Sequence, residues 1–150
     1  MLTHKTIKMK EQNFKNHAQM VPGFHYVGML SILALLIGSF INLYHSAPEN
    51  LYSASLICLV AFICIILWIY TRVFSLKAQD RAIRAEENLR YYVLTGKLLP
   101  SELTVQQIVA LRFAPDNEFV GLVERAIKES LSNKEIKLAI QNWKADFYRV

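Results

Sequence analysis

The chain has 150 residues, a net charge of +5 and 53% hydrophobic residues. That length leaves too little material to cover both of its long apolar runs on every side in a soluble core. Basic and acidic residues alternate through the second half, so the positive excess lies near the apolar runs. A continuous basic face for nucleic acid is absent.

Residues 1–20 read as a basic segment with Lys5, Lys8, Lys10 and Lys15. A short helix over Glu11–Met20 is expected to lie on a membrane surface, with Phe14 and Met20 dipping in. Val21-Pro22-Gly23 is a breaker. His17 and His25 flank it, which fixes no common geometry for a metal or haem, so interfacial hydrogen bonding is the expected role of both.

The membrane region is drawn at 21–75, with spans over 24–44 and 51–73 joined by a polar loop. The first run contains no Asp, Glu, Lys or Arg and reaches roughly 31 Å as a helix; the second reaches roughly 34 Å. His45-Ser46-Ala47-Pro48 makes a poor cleavage site, so the first run reads as an uncleaved anchor. The loop carries Glu49 and no Lys or Arg. Arg72, Lys77, Arg81 and Arg84 follow the second run. The positive-inside rule then places both termini in the cytoplasm, and Phe24, Tyr26, Trp68 and Tyr70 on one side, Tyr44 and Tyr52 on the other, suit an aromatic belt.

Gly28, Ser31, Ala34 and Gly38 recur in the first span, and Ala54, Cys58, Ala61 and Cys64 in the second. Such small residues let helices approach closely. Packing of one span on the other is the first expectation, and docking of a partner's helix the second. Cys58 and Cys64 lie six apart inside an apolar run, which suits neither a disulfide framework nor zinc. No Asp, Glu, Lys or Arg lies inside the membrane core, which disfavours an ion path through this chain alone.

No Gly or Pro interrupts residues 51–95, so helix is expected to continue beyond the membrane as an extension over 76–96. Ala78, Ala82, Ala85, Leu89 and Tyr92 form a helical stripe suited to partner docking. Asp80–Arg84 and Glu86–Arg90 have ion-pair spacing, and Gly96 with Pro100 ends the helix. Residues 101–150 read as a bundle of three short helices. Thr104 with Gln107, and Ser132 with Glu135, are capping boxes stapled by Leu103–Ile108 and Leu131–Ile136. Asp116 is the expected cap of the middle helix. The apolar faces are Ile108, Val109, Leu111 and Phe113; then Phe119, Val120, Leu122, Val123, Ile127 and Leu131; then Ile136, Leu138, Ile140 and Trp143. The aromatic, basic end from Trp143 to Val150 is expected to fold back or meet headgroups.

Chemistry is sparse. The four histidines, His4, His17, His25 and His45, all precede the C-terminal half, and the glycines form no phosphate loop. Glu118, Glu124, Glu129, Glu135 and Asp146 would repel phosphates from a DNA-reading helix pair. No catalytic residue, cofactor, metal or small-molecule substrate is inferred.

The segments at 12–27, 79–94, 103–119 and 131–150 together resemble an uncharacterised family of small bacterial two-span membrane proteins, a domain of unknown function. That resemblance implies an all-α membrane protein in a bacterial inner membrane and no activity. The expected function is an accessory or scaffolding subunit contacting lipids and a membrane-protein partner. Self-association through the Ala78–Tyr92 stripe is the alternative, and a lipid-interface enzyme using Glu86 or Glu87 ranks last.

Overall fold

A computed structural model describes residues 12–17 and 20–146. Among these residues the regular structure is all helical. A π-helical turn over Gly23–Gly28 leads into α1 (Met29–His45), a 3-10 turn over Pro48–Asn50 and α2 (Leu51–Thr95). Three short helices follow: α3 (Val105–Leu111), α4 (Asp116–Lys128) and α5 (Asn133–Ala139). Two of these helical stretches, Gly23–His45 and Pro48–Thr95, are long and apolar enough to cross a membrane. The first begins in π geometry just after Pro22, where the sequence suggested ordinary helix.

The chain divides into two compact units. The first holds α1 and the apolar start of α2. Phe24 stacks on Trp68 with ring centroids 5.1 Å apart, and the Trp68 indole donates to the Phe24 carbonyl at 3.3 Å. Phe40 meets Phe62 edge-on, and the Cys58 thiol donates to the Ser39 carbonyl at 3.4 Å.

The second unit contains the rest of α2 and α3–α5. α2 ends where Gly96 takes a φ of +73°, which Gly adopts at no steric cost, and its N–H closes on the Tyr92 carbonyl. Both capping boxes form as the spacing predicts, from Thr104 and Gln107 and from Ser132 and Glu135. The core gathers Tyr91 of α2 with Leu103, Ile108, Leu111, Phe113, Phe119, Val123 and Ile136. None of the short helices could bury its apolar face alone, and together they do.

Several local expectations are corrected. Pro115, not Asp116, is the N-cap of α4; Asp116 opens the helix and its carboxylate is taken by Arg90. Leu138 lies within α5 but is exposed, and because α5 stops at Ala139, Ile140 and Trp143 reach the core from the following segment. Residues 12–17 contain a turn and no helix. Phe14 stacks on His17, whose ring packs against Phe113 and Trp143, and Gln12 exchanges hydrogen bonds with the Asp146 backbone. This segment belongs to the helical unit, where aromatic contacts hold it more specifically than a surface would. The rest of the expected helix, residues 11 and 18–19, and the basic residues Lys5, Lys8 and Lys10, lie outside the described residues, as do residues 147–150 of the aromatic end.

Candidate functional site

α2 beyond residue 79 has two faces with different fates. One is built into the core. Ile83, Glu87 and Tyr91, at steps of four, are buried. Arg90 ties this face to the start of α4. It donates to the Glu87 carboxylate at 3.0 Å, to Asp116 at 2.7 Å and to the Ala114 carbonyl at 2.7 Å, and its guanidinium lies 4.2 Å from the Phe119 ring centre. Burial pushes the Glu87 carboxyl above its ordinary range, and the Arg90 charge and hydrogen bond pull against it. The ion pairs expected from spacing, Asp80–Arg84 and Glu86–Arg90, do not form among the described residues. Arg90 turns to Glu87 and Asp116, which the core brings closer.

The opposite face carries the stripe seen in the sequence. Ala82, Ala85, Leu89 and Tyr92 are all exposed, and so is Ala78 on the same helix. Leu89 is 64% exposed and its neighbour Val93 75%, large values for apolar side chains on a helix whose other side is core. A groove of about 460 Å³ flanks this stripe, lined by Arg81, Arg84, Ala85, Asn88, Leu98 and Leu99 among others. Asn88 holds its far wall by accepting from the Leu99 N–H at 2.8 Å. Among the described residues Arg81, Arg84 and Glu86 have no ion-pair partner.

In the other unit the two sets of small residues part company. Ala54, Cys58 and Ala61 are buried and Cys64 half-buried. Gly28 is half-buried, and a methyl group there would touch the Trp68 ring at 3.4 Å. Ser31, Ala34 and Gly38 instead lie exposed, correcting the expectation that they share the inner face. Among the described residues, a methyl group on Gly38 would meet nothing within 4 Å. The inner stripe of α1 runs Gly28, Ile32, Leu36, Ser39, Leu43, and Ser39 is its one buried residue. Its hydroxyl donates to the Leu36 carbonyl at 2.8 Å, which lets a polar residue sit there. The sequence signal was the 4-4-3-4 step through Ser39; the Ala34–Gly38 pair outranked it only on residue size.

Residues with chemical potential are tied up structurally or stand alone. His17 Nδ1 lies 2.7 Å from the Phe14 carbonyl oxygen and its Nε2 3.2 Å from Lys137 Nζ. His25 Nδ1 is 3.0 Å from the backbone of Val21. Glu86 points to solvent while Glu87 is buried with Arg90. Among the described residues no three His, Cys, Asp or Glu side chains converge on a metal-sized site. The groove and the two exposed small-residue faces are what these residues leave open on the surface.

A family model described as a family of unknown function (DUF6526) matches residues 9–150. No curated protein and no solved structure matches the chain.

Proposed function

The chain belongs to the DUF6526 family, a family of unknown function, and from its own residues we propose that it is a non-enzymatic accessory or scaffolding subunit of a larger bacterial inner-membrane complex. The two apolar helices act as a spanning hairpin. Only 6% of the apolar window in Gly23–His45 is buried within the protein, so these side chains need lipid or a partner around them. Lys15, Arg72, Lys77, Arg81 and Arg84 against a loop without Lys or Arg support cytoplasmic termini.

The observation that carries the reading is the outward face of α1. Ser31, Ala34 and Gly38 offer a close-approach surface that the chain's own second helix does not use. In lipid, such a surface gains from packing against another helix and gains nothing from water exclusion. A partner span docks there. The test is capture from native membranes in mild detergent, comparing the wild-type chain with Gly38→Leu. A stoichiometric membrane protein that accompanies the wild type and is lost with the variant supports the reading. A wild-type chain recovered without another protein sinks it. Gly38→Leu leaves membrane retention intact, because nothing among the described residues lies within 4 Å of a Cβ added there.

A further inference from the structure

We propose that the exposed face of α2 over Arg81–Tyr92 pairs in parallel with the same face of a second copy, with Arg81 of each copy meeting Glu86 of the other. The parallel direction rests on the membrane reading above. Arg81–Tyr92 follows directly on the apolar run of α2 in sequence, so copies inserted the same way bring this segment out of the bilayer with the same end first.

Three independent features converge on this pairing. The first is periodicity. Ala82, Ala85, Leu89 and Tyr92 recur at steps of three, four and three, the spacing of the a and d positions of a two-stranded coil. All four are exposed. The buried residues Ile83, Glu87 and Tyr91 fall at the b, f and c positions, on the side away from such a seam. The same helix thus serves its own core and a partner without conflict.

The second is charge. With Ala82 and Leu89 at a, Arg81 falls at g and Glu86 at the following e. Those are the two positions that face each other between parallel strands, and a two-fold repeats the pair. Neither residue has an ion-pair partner among the described residues of its own chain. An antiparallel arrangement sets g against g, bringing arginines together and leaving the glutamates opposite each other.

The third is the groove, which opens beside the seam on the g side, with Arg81 and Arg84 on its wall. A carboxylate projecting from the e position of a neighbouring strand arrives on that side. Glu86 of the second copy therefore meets two guanidiniums where a solvated surface would offer one.

Energetics favour this despite the short seam. An isolated helix of this length is marginal because nucleating it is unfavourable. Here the helix is already ordered by its own core, and membrane anchoring raises the local concentration of copies. Alanines at 82 and 85 let the backbones come close, and Leu89 and Tyr92 supply the apolar area.

The experiment uses the full chain in membranes, with Cys58→Ala and Cys64→Ala as background. Single cysteines replace Ala82, Ala85, Leu89 and Tyr92 in turn, with the exposed Gln106 and Glu124 as off-seam controls, followed by mild oxidation. Disulfide-linked dimers are expected at all four seam positions and at several-fold lower yield at the controls. Linking near Ala85 alone, equal yields at the controls, or no linking in chains that stay with the membrane would each overturn the pairing and leave the membrane reading standing. Recovery of the chain in the carbonate-washed supernatant would overturn the membrane reading and the parallel alignment together. Exchange of charge gives a second arm that does not depend on packing. Arg81→Glu alone and Glu86→Arg alone each weaken pairing about tenfold, because two attractive contacts become repulsive. Mixing tagged copies of the two variants restores it to within about twofold, because both contacts in the mixed pair are again attractive. Failure of the mixed pair to recover would reject the register.

Discussion

Replacing Arg90 by Ala tests how the outer face of α2 is held in position. The Arg90 side chain is 12% exposed, and so is little of its first partner, Glu87, at 8%; Asp116 is 68% exposed. The Asp116 contact therefore adds at most a few tenths of a kcal/mol, as open ion pairs do. The Glu87 contact is different, since its loss leaves a buried carboxylate without its main cation, which costs about 3 kcal/mol or more. The Ala114 carbonyl also loses a donor. Together these predict opening of the α2–α4 contact that is at least about a hundredfold more frequent, at 1.4 kcal/mol per factor of ten. The assay is amide hydrogen exchange of the full chain in detergent, read on peptides from Leu103 to Ile127.

The pH dependence gives the reasoning a second edge. Burial already raises the Glu87 carboxyl above its ordinary value, with Arg90 opposing. Without Arg90 it rises further. A carboxyl raised on folding binds its proton more tightly in the folded chain, so its stability is fully present below the unfolded pKa. It is lost as pH rises through the folded pKa. The Arg90→Ala penalty should accordingly be larger at pH 8 than at pH 5, and adding Glu87→Gln should remove that difference. A loss below about 0.5 kcal/mol, the size expected for the exposed Arg125–Glu129 pair, or a penalty equal at both pH values, would refute the account.

Ala61→Leu should lower thermal stability in detergent by about 1–3 kcal/mol, since Ala61 is fully buried against its neighbours, whereas Gly38→Ala, whose methyl meets open space inside a helix, should raise it by up to about 1 kcal/mol. Ser130 sits at a φ of +50° between α4 and α5, so Ser130→Gly should raise the melting temperature, by about 0.5–1 kcal/mol in stability. Thr104→Ala should cost about 1 kcal/mol by removing the cap on the Gln107 N–H, seen as faster exchange at the start of α3. Glu118 accepts from the Gln141 and Asn142 N–H groups and the Asn142 side chain. Desolvation works against it, but these bonds together hold its carboxyl below the ordinary value. Its contribution is thus present above the unfolded pKa and lost as pH falls through the folded one; Glu118→Gln should speed exchange at Gln141 and Asn142 at neutral pH and leave them nearly unchanged at strongly acidic pH.

Punctuation in this sequence translated well into structure, and side-chain partnership did not. Capping boxes at Thr104 and Ser132 and the stop at Gly96 are short-range, decided within four residues, so spacing suffices. Arg90 shows where that logic fails. Within the helix Glu86 and Glu87 are both in reach, and what decides between them is the core, which buries the Glu87 side and brings Asp116 from twenty-six residues away. The same holds for α1. Size alone favoured Ala34 and Gly38, but the inner face is set by which side Trp68 and Cys58 occupy, and that side passes through Ser39.

The shared exposed face of the α2 stripe, unlike the inner face of α1, followed from the helical period alone. Its residues stayed at the surface, so no tertiary contact was needed to place them, only the helical period. What the fold adds is the cause of their exposure. Ile83, Glu87 and Tyr91 already fill the side that the small core requires, and a helix with one side committed can offer only the other. A stretch with Ala82 and Ala85 where a solvated helix would carry charges, and with Leu89 and Val93 largely uncovered, is costly to leave in water at roughly 25 cal/mol per Å² of apolar surface. The adjoining Arg81 and Glu86, unpaired among the described residues, are the charges that the proposed pairing would set against each other across a two-fold.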